Sequence, residues 1–460
     1  MSPIESLVAL EALGPSGNFR ARTPMTISDI WGEPVAALSL VPPLFVTRSV
    51  VAMRRSEALP VNERRAALTR AGEIFRTAEL GGLGVEEYQR LVCRVSGMTV
   101  TAVRESTDTI ADYCGAAHEY AQFARPLGAM ESLEDERAKD GGALWVRRGE
   151  VFGVHAAGNH PAVHTNWLQA LALGYRIAVR PSRREPFTAH RLVLALREAG
   201  FPDEHLAVLP TDHDGADAIL RSVDRSIVFG GEDVIQKYKD DPRVLPQGPG
   251  RSKILITADT DWHEHIDLVV DSVSRFGGVG CVNATAVFIE GNHLGLAEAV
   301  AERLSAIPSL PPSHPEAVLP VRTKESALGM REHLREVAQG TMGVLPAEDV
   351  VHDFGDGTAV LRPALHVLST ADSPQAGIEL PFPCVWVAPW SPSDGVGPLR
   401  DTLALTVLTK DRVLIGRLVG EPSVRNVYVG GHPTYWTHPA APHDGYLADF
   451  LMESKGYVEE

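Results

Sequence analysis

Between residues 61 and 125 apolar positions recur every three or four residues, as in "VNERRAALTRAGEIFRTAEL" and "VEEYQRLVCRVSGMTVTAVRESTDTIADYCGAAHEYAQFA". That spacing follows one face of an α-helix and predicts a helical lead-in. From about residue 148 the rhythm changes to short β-rich runs alternating with amphipathic stretches. "EVFGVHAA" reads as a strand, "PAVHTNWLQALALG" as a helix opened by Pro161 and closed by Gly174, and "YRIAVRP" as a strand. The helix "TAHRLVLALREAG", capped by Thr188 and ended by Gly200, comes next, then the strand "HLAVLP", the helix "GADAILRSV" and the strand "SIVFGG". Strand and helix alternating at this spacing predict a doubly wound α/β fold around a parallel sheet. Nucleotide cofactors bind at the carboxyl ends of such strands.

A second unit begins near "SKILITADTD" and mixes strands ("TAVFIEG", "PCVWVAP", "RNVYVGG") with helices ("LGLAEAVAERLSAI", "SALGMREHLREVAQ"). The charged run "ESLEDERAKDGG" at 131–142 is expected to be a solvated turn or linker, and "IPSLPPSHPEAVLP" a surface connection. No internal repeat is visible.

Length agrees with this division, because 460 residues with 44% hydrophobic positions exceed what one core accommodates. A formal charge of −16 argues against a nucleic-acid surface and for small-molecule substrates, so an anionic cofactor must be held by local basic groups and backbone N–H donors. The four cysteines, Cys93, Cys114, Cys281 and Cys384, are far apart and form no C-x-x-C pair, which predicts a reducing, cytoplasmic setting. The start, "MSPIESLVALEALGPSGNF", has no basic residue before Arg20 and so lacks a signal-peptide n-region, and no apolar run is long enough for a membrane span.

One cysteine sits where the backbone is bare, in "FGGVGCVNAT" at 276–285. A nucleophilic Cys281 needs a carbonyl to reach its sulfur and a backbone N–H aimed at the developing oxyanion, and glycines clear both paths. On pattern alone, most free cysteines are small buried hydrophobes. Asn159 ends a strand before His160-Pro161, where its amide can donate to the same oxygen or simply form a turn. His155, His160 and His164 lack the glutamate and cysteine of a zinc signature, so packing or pocket lining is expected and no metal site. The dinucleotide fingerprint G-x-G-x-x-G is missing, since "GPGRSK" at 248–253 ends in lysine.

Five stretches in chain order resemble the aldehyde dehydrogenase superfamily: "GVHAAGNHP", "VRPS", "VFGG", "GVGC" and "IELPFPCV". Within it, "GPGRSKILI" and the tail "PTYWTHPAAPHDGYLADFLMESKG" are similar to the acyl-CoA or acyl-protein reductases of the bioluminescence type. The resemblance implies two doubly wound α/β domains plus a small β oligomerisation extension. It puts residues 1–125 and 148–253 in the NADP-binding domain, 254–431 in the catalytic domain, and 126–147 with 432–460 in the extension, which is exchanged within a homodimer or homotetramer. It makes Cys281 the nucleophile and Asn159 part of the oxyanion hole. Arg180 and Ser182 fall where the family contacts the adenosine ribose, and Gly230 and Gly231 where the pyrophosphate approaches. Glu379 falls at the glutamate that holds the nicotinamide ribose.

Two departures carry information. Many NAD-preferring members have a glutamate where this chain has Arg183, and with Arg184 beside it NADP is expected over NAD, which stays open, since guanidinium groups bind a 2′-phosphate; on sequence alone the two arginines are equally read as solvated surface charges. Gln247 stands where hydrolytic members carry the water-activating glutamate, and an amide cannot take that proton. The resemblance therefore implies NADPH-dependent reduction of an acyl thioester to an aldehyde, the acyl group arriving on CoA, a carrier protein or an acyl-activating partner. The alternatives are oxidation of an aldehyde to an acid and a catalytically silent scaffold. A helix N-terminus near "CVNATA" is the expected device for lowering the Cys281 pKa.

Overall fold

The computed structural model describes residues 7–459. The first six residues of the chain's start, and residue 460, lie outside them. The lead-in forms helices Val61–Thr77, Val85–Ser96 and Val100–Gln122, the last capped by Thr99, whose hydroxyl accepts the Ala102 N–H at 3.3 Å. Val103, Ile110, Cys114, Ala117 and Ala121 lie on its buried side, the three-to-four spacing read from the sequence.

The first large sheet contains β1 (Ala12–Gly14), β2 (Gly17–Phe19), β3 (Val151–His155), β4 (Arg176–Arg180), β5 (Leu206–Val208), β6 (Arg225–Phe229) and β7 (Val244–Gln247). Their spatial order is β7-β6-β3-β4-β5-β1-β2, with β7 through β5 parallel and the β1-β2 hairpin antiparallel on the edge. The chain winds outward from β3 through β4 to β5, then returns to place β6 on the other side of β3. Strand order reverses between β3 and β6, so a crevice opens beyond their carboxyl ends at His155 and Phe229.

Helices Thr165–Ala172 and Phe187–Glu198 cross over this sheet. The second is not capped by Thr188. It starts one residue earlier, the Glu185 carboxylate accepts the Thr188 N–H at 2.9 Å, and the buried Thr188 hydroxyl instead meets Tyr88 Oη at 2.9 Å. Gly174 and Gly200 follow their helices with φ of +94° and +110°, conformations that favour glycine.

The second large sheet contains β8 (Ser252–Ile256), β9 (Ala284–Ile289), β10 (Met342–Leu345), β11 (Ala364–Val367), β12 (Cys384–Pro389), β13 (Thr402–Leu408) and β14 (Val424–Val429). Its order is β10-β11-β12-β9-β8-β13-β14, all parallel except β10. Ser252 and Lys253 already belong to this sheet. Each sheet has its own apolar core, with Trp167 fully buried in the first and Trp386 in the second.

Residues 131–142 are not wholly a linker: Glu136–Asp140 form a 3₁₀ turn, and Gly142 starts a strand. That strand, Gly142–Arg147, pairs antiparallel with Met452–Tyr457 over six residues and parallel with Ala129–Met130. The stretch before residue 148 and the C-terminal tail thus meet in one small sheet. Among the described residues no helix is long and apolar enough to cross a membrane.

Candidate active site

The loop carrying Cys281 joins helix Ile266–Ser274 to β9, at the amino end of the second sheet. Phe276, Gly277 and Gly278 are all left-handed, with φ of 55°, 71° and 67°. Buried Asn283 anchors the loop: its Oδ1 accepts the Gly280 N–H at 2.9 Å, and its Nδ2 donates to Ser272 O and Arg275 O. A Cβ on Gly278 would lie 2.4 Å from Pro383 N, and one on Gly250 only 1.8 Å from Cys281 O. Backbone approach and left-handed geometry therefore account for much of the bareness, where the sequence suggested access alone. Gly278 seats the loop against the stretch after Glu379, and Gly250 seats the end of the β7–β8 connection against Cys281.

Cys281 is half-buried, whereas Cys93, Cys114 and Cys384 are buried. The helix N-terminus expected at "CVNATA" is absent: Cys281 and Val282 form a turn that runs directly into β9. Burial, followed by the negative charge of Glu379, pushes the Cys281 thiol up to about 12, against the pull of the Cys281 and Val282 backbone N–H groups. Glu379 Oε2 accepts the Arg251 N–H at 2.7 Å, and burial raises that carboxyl above its ordinary range. His443, from the C-terminal tail, brings Nε2 to 3.6 Å from Cys281 Sγ, and burial keeps its pKa below the ordinary value.

From the first sheet, the connection after β3 carries Asn159 to the same loop, where Nδ2 donates to Val279 O at 3.0 Å and buried Oδ1 has no partner. The cap of the next turn is His160 rather than Asn159, its Nδ1 accepting the Ala162 N–H at 3.2 Å. The His160 ring packs edge-on against Phe276 at 4.9 Å, and buried His164 accepts the Trp167 indole N–H at 3.0 Å. No group of three potential metal ligands occurs among the described residues. The site thus lies where the carboxyl end of β3 faces the amino ends of β8 and β9.

Of the residues expected to contact a dinucleotide, all but Glu379 lie on the carboxyl side of the first sheet. Arg180 ends β4, and burial and the neighbouring Arg183 charge both lower its pKa. Exposed Arg183 donates to Thr211 O at 3.3 Å. Among the described residues neither has a carboxylate within ion-pair distance, and buried Arg180 Nε lacks a partner. A Cβ on Gly158 would lie 2.2 Å from Ser182 Oγ, so these two segments touch. A Cβ on Gly230 would strike Val234 at 2.4 Å, so that glycine is required by the first turn of helix Glu232–Tyr238 itself. Glu232 and Asp233 in that turn set negative charge at its amino end, and Glu232 pairs with Arg251 at 2.8 Å. Gln247 ends β7, its carbonyl accepting the Gly230 N–H at 3.0 Å.

Sequence reasoning had not singled out His443, Arg251 or Arg322. Arg322 donates to Pro381 O at 2.8 Å, and burial, then the nearby Arg184 charge, lowers it to about 10. The stretches holding Arg251 and His443 were noticed, "GPGRSK" and "PHDGY", but no spacing in them signals a partner.

A model of the aldehyde dehydrogenase family matches residues 45–397. Betaine aldehyde dehydrogenases of Brucella ovis and Brucella anthropi are 25% and 26% identical over 289 residues, covering 59% of this chain and 56% of theirs. Among solved structures, an indole-3-acetaldehyde dehydrogenase complexed with NAD+ superposes with TM-score 0.83 at 16% identity, covering 98% of this chain and 97% of that one. An NADP-dependent enzyme of E. coli superposes with TM-score 0.81 at 16% identity, covering 98% of each chain. The structures share the fold, two doubly wound α/β units with a small β extension. With the family model spanning most of its length, the chain belongs to the aldehyde dehydrogenase family.

Proposed function

We propose that this chain oxidises an aldehyde with NAD(P)+ through a thioester on Cys281. The observation that carries the reading is the meeting of the Asn159 amide with the loop that bears half-buried Cys281, at Val279 O, the two contributed by different large sheets. The family match and the aldehyde dehydrogenases among the relatives favour aldehyde oxidation over thioester reduction as the main reaction.

In the proposed sequence the Cys281 sulfur, once deprotonated, bonds to the carbonyl carbon. The oxygen that gains the electron pair accepts hydrogen bonds from the second Asn159 Nδ2 hydrogen and from the Cys281 or Val282 backbone N–H. Arg180, Ser182 and Arg183 would hold the adenosine end of a dinucleotide, and Glu379 the nicotinamide ribose. The unpaired guanidinium groups and the orphaned Arg180 Nε fit a phosphorylated ribose, which supports NADP over NAD. When bound, the nicotinamide supplies the hydride acceptor. Asn159 and the loop then hold the resulting thioester for attack by water or a thiol.

A second reading rests on Gln247. Because an amide does not take a proton from water as a carboxylate does, the acyl group is passed to a thiol such as CoA. Run in reverse, that exchange would load the acyl group onto Cys281, and with the hydride a reduced nicotinamide would supply, the whole sequence would be the reduction of an acyl thioester to an aldehyde. The small sheet, with Met452–Tyr457 on one edge, is proposed as the oligomerisation element of a homodimer or homotetramer. The test follows NAD(P)H formation with a panel of aldehydes, with and without CoA. Aldehyde-dependent NAD(P)H formation lost in Cys281→Ser supports the proposal, and unchanged activity of that variant overturns it. A requirement for CoA selects the second reading.

A further inference from the structure

The thiol at the centre of this site is left without an evident means of losing its proton. It is half-buried, a carboxylate opposes its ionisation, and no helix begins at it. Only the thiolate attacks a carbonyl efficiently, so a base is required. Gln247 is an amide, and Glu379 already accepts the Arg251 N–H. His443, in contrast, directs Nε2 at Cys281 Sγ from 3.6 Å, within the reach of a hydrogen bond to sulfur.

The fold holds His443 there from both sides. Its carbonyl accepts from Asn426 Nδ2 at 2.6 Å, and the same nitrogen donates to Leu403 O at 3.0 Å, so the tail is fastened to β13 and β14 through one buried amide. The adjacent Asp444 pairs with Arg425 of β14 at 3.1 Å. Tyr446 Oη donates to Ala440 O and closes the loop that carries the histidine. The charged or titratable groups acting on the imidazole are Cys281 itself and Asp444, whose charge opposes the downward pull of burial. A neutral imidazole is the form that accepts a proton. The His443 ring is packed into the cleft while the residue keeps an open side to solvent, so a proton it takes can pass on to water.

We propose that His443 is the general base for Cys281. The proton moves from Sγ to Nε2 as the sulfur electron pair forms the S–C bond, and the carbonyl π pair moves onto oxygen, where Asn159 and the backbone receive it. His443 then releases its proton to solvent and is ready for the next turnover. This assignment rests on the reading of Cys281 as the nucleophile and deepens it.

The test measures the rate of iodoacetamide alkylation of Cys281 by peptide mass spectrometry on the cofactor-free full chain, from pH 5 to 9. Wild type is compared with His443→Ala and His443→Gln, with melting temperatures recorded to confirm that each variant folds. The expected result is a loss of about a hundredfold or more at pH 7 in both variants, the low side of a general base's contribution. Both variants should regain rate only at alkaline pH, and added imidazole should restore part of the His443→Ala rate. Glutamine preserves a hydrogen-bonding side chain, so a merely structural role predicts that His443→Gln keeps the wild-type rate. Wild-type rate and pH profile in either variant, or no rescue by imidazole, overturns the assignment while leaving Cys281 as nucleophile. Failure of Cys281 to alkylate in any variant, with Cys281→Ser still active, overturns both.

Discussion

Replacing Gly250 by alanine tests whether the seating of the nucleophile loop matters to the chemistry. The added Cβ would sit 1.8 Å from Cys281 O, 2.6 Å from its carbonyl carbon and 3.0 Å from its Cα. All three are backbone atoms, so no rotamer change relieves the clash, and the two segments must part by about 1 Å or more to reach ordinary contact. That movement strains the Leu403 N–H···O=C Gly250 hydrogen bond of 2.8 Å and the Ser252 Oγ–H···O=C Cys281 bond of 3.0 Å. Overpacking of this kind destabilises by roughly 1–3 kcal/mol. A 1 Å misplacement of the reacting atom lowers kcat/KM by about a hundredfold. Steady-state kcat/KM and melting temperature would be measured together, with Gly329→Ala as control, since a Cβ there meets nothing within 4 Å and its helix favours alanine. A folded Gly250→Ala enzyme with undiminished kcat/KM would refute the claim that this backbone contact positions Cys281.

Arg183→Glu should raise KM for NADP+ by about tenfold or more while lowering KM for NAD+, since a carboxylate repels a 2′-phosphate; unchanged KM for both removes Arg183 from the cofactor site. Asn159→Ala should reduce kcat by about a hundredfold, the scale of one lost oxyanion donor, and a change confined to KM would argue against that role. Lys253 is buried, its ammonium donating to Arg400 O at 2.8 Å and Thr402 Oγ1 at 2.6 Å, and burial lowers its pKa from 10.5 to about 8. The folded state therefore binds fewer protons than the unfolded state between those values. The cost of burying the charge is present in full below pH 8 and is relieved as pH rises toward 10.5. Relative to Lys253→Met, wild-type unfolding free energy measured with urea should gain up to about 3 kcal/mol across that window; a difference that stays flat with pH contradicts it.

The alternation of strand and helix was legible because several parallel strands are apolar runs closed by glycine or proline, as "YRIAVRP" and "PCVWVAP" show. Caps were less legible. Thr188 resembles an N-cap, but a carboxylate three residues earlier takes its N–H, and its hydroxyl is drawn to Tyr88 in the packed interior. Cys281 stood out through its glycines, while the reason for Gly278 lies in backbone more than a hundred residues away at Pro383, and the requirement for Gly250, some thirty residues away, comes from Cys281 itself. A helix was expected after Cys281 because nothing local shows that Asn283 folds the loop back and that β9 starts at Ala284. His443 was out of reach for the same physical reason: it lies 162 positions from Cys281, and only the closing of the tail over β13 and β14 joins them.

The central claim is that the sulfur of Cys281 bonds to the carbonyl carbon of the substrate. Acid-quenched protein, sampled during turnover of an aldehyde with NADP+, can be digested and the peptide containing residues 276–285 weighed. An added acyl mass on Cys281 that rises with NADPH formation and is missing from Cys281→Ser is the predicted result. NADPH formed by Cys281→Ser at the wild-type rate, with no adduct on the wild-type peptide, would contradict it.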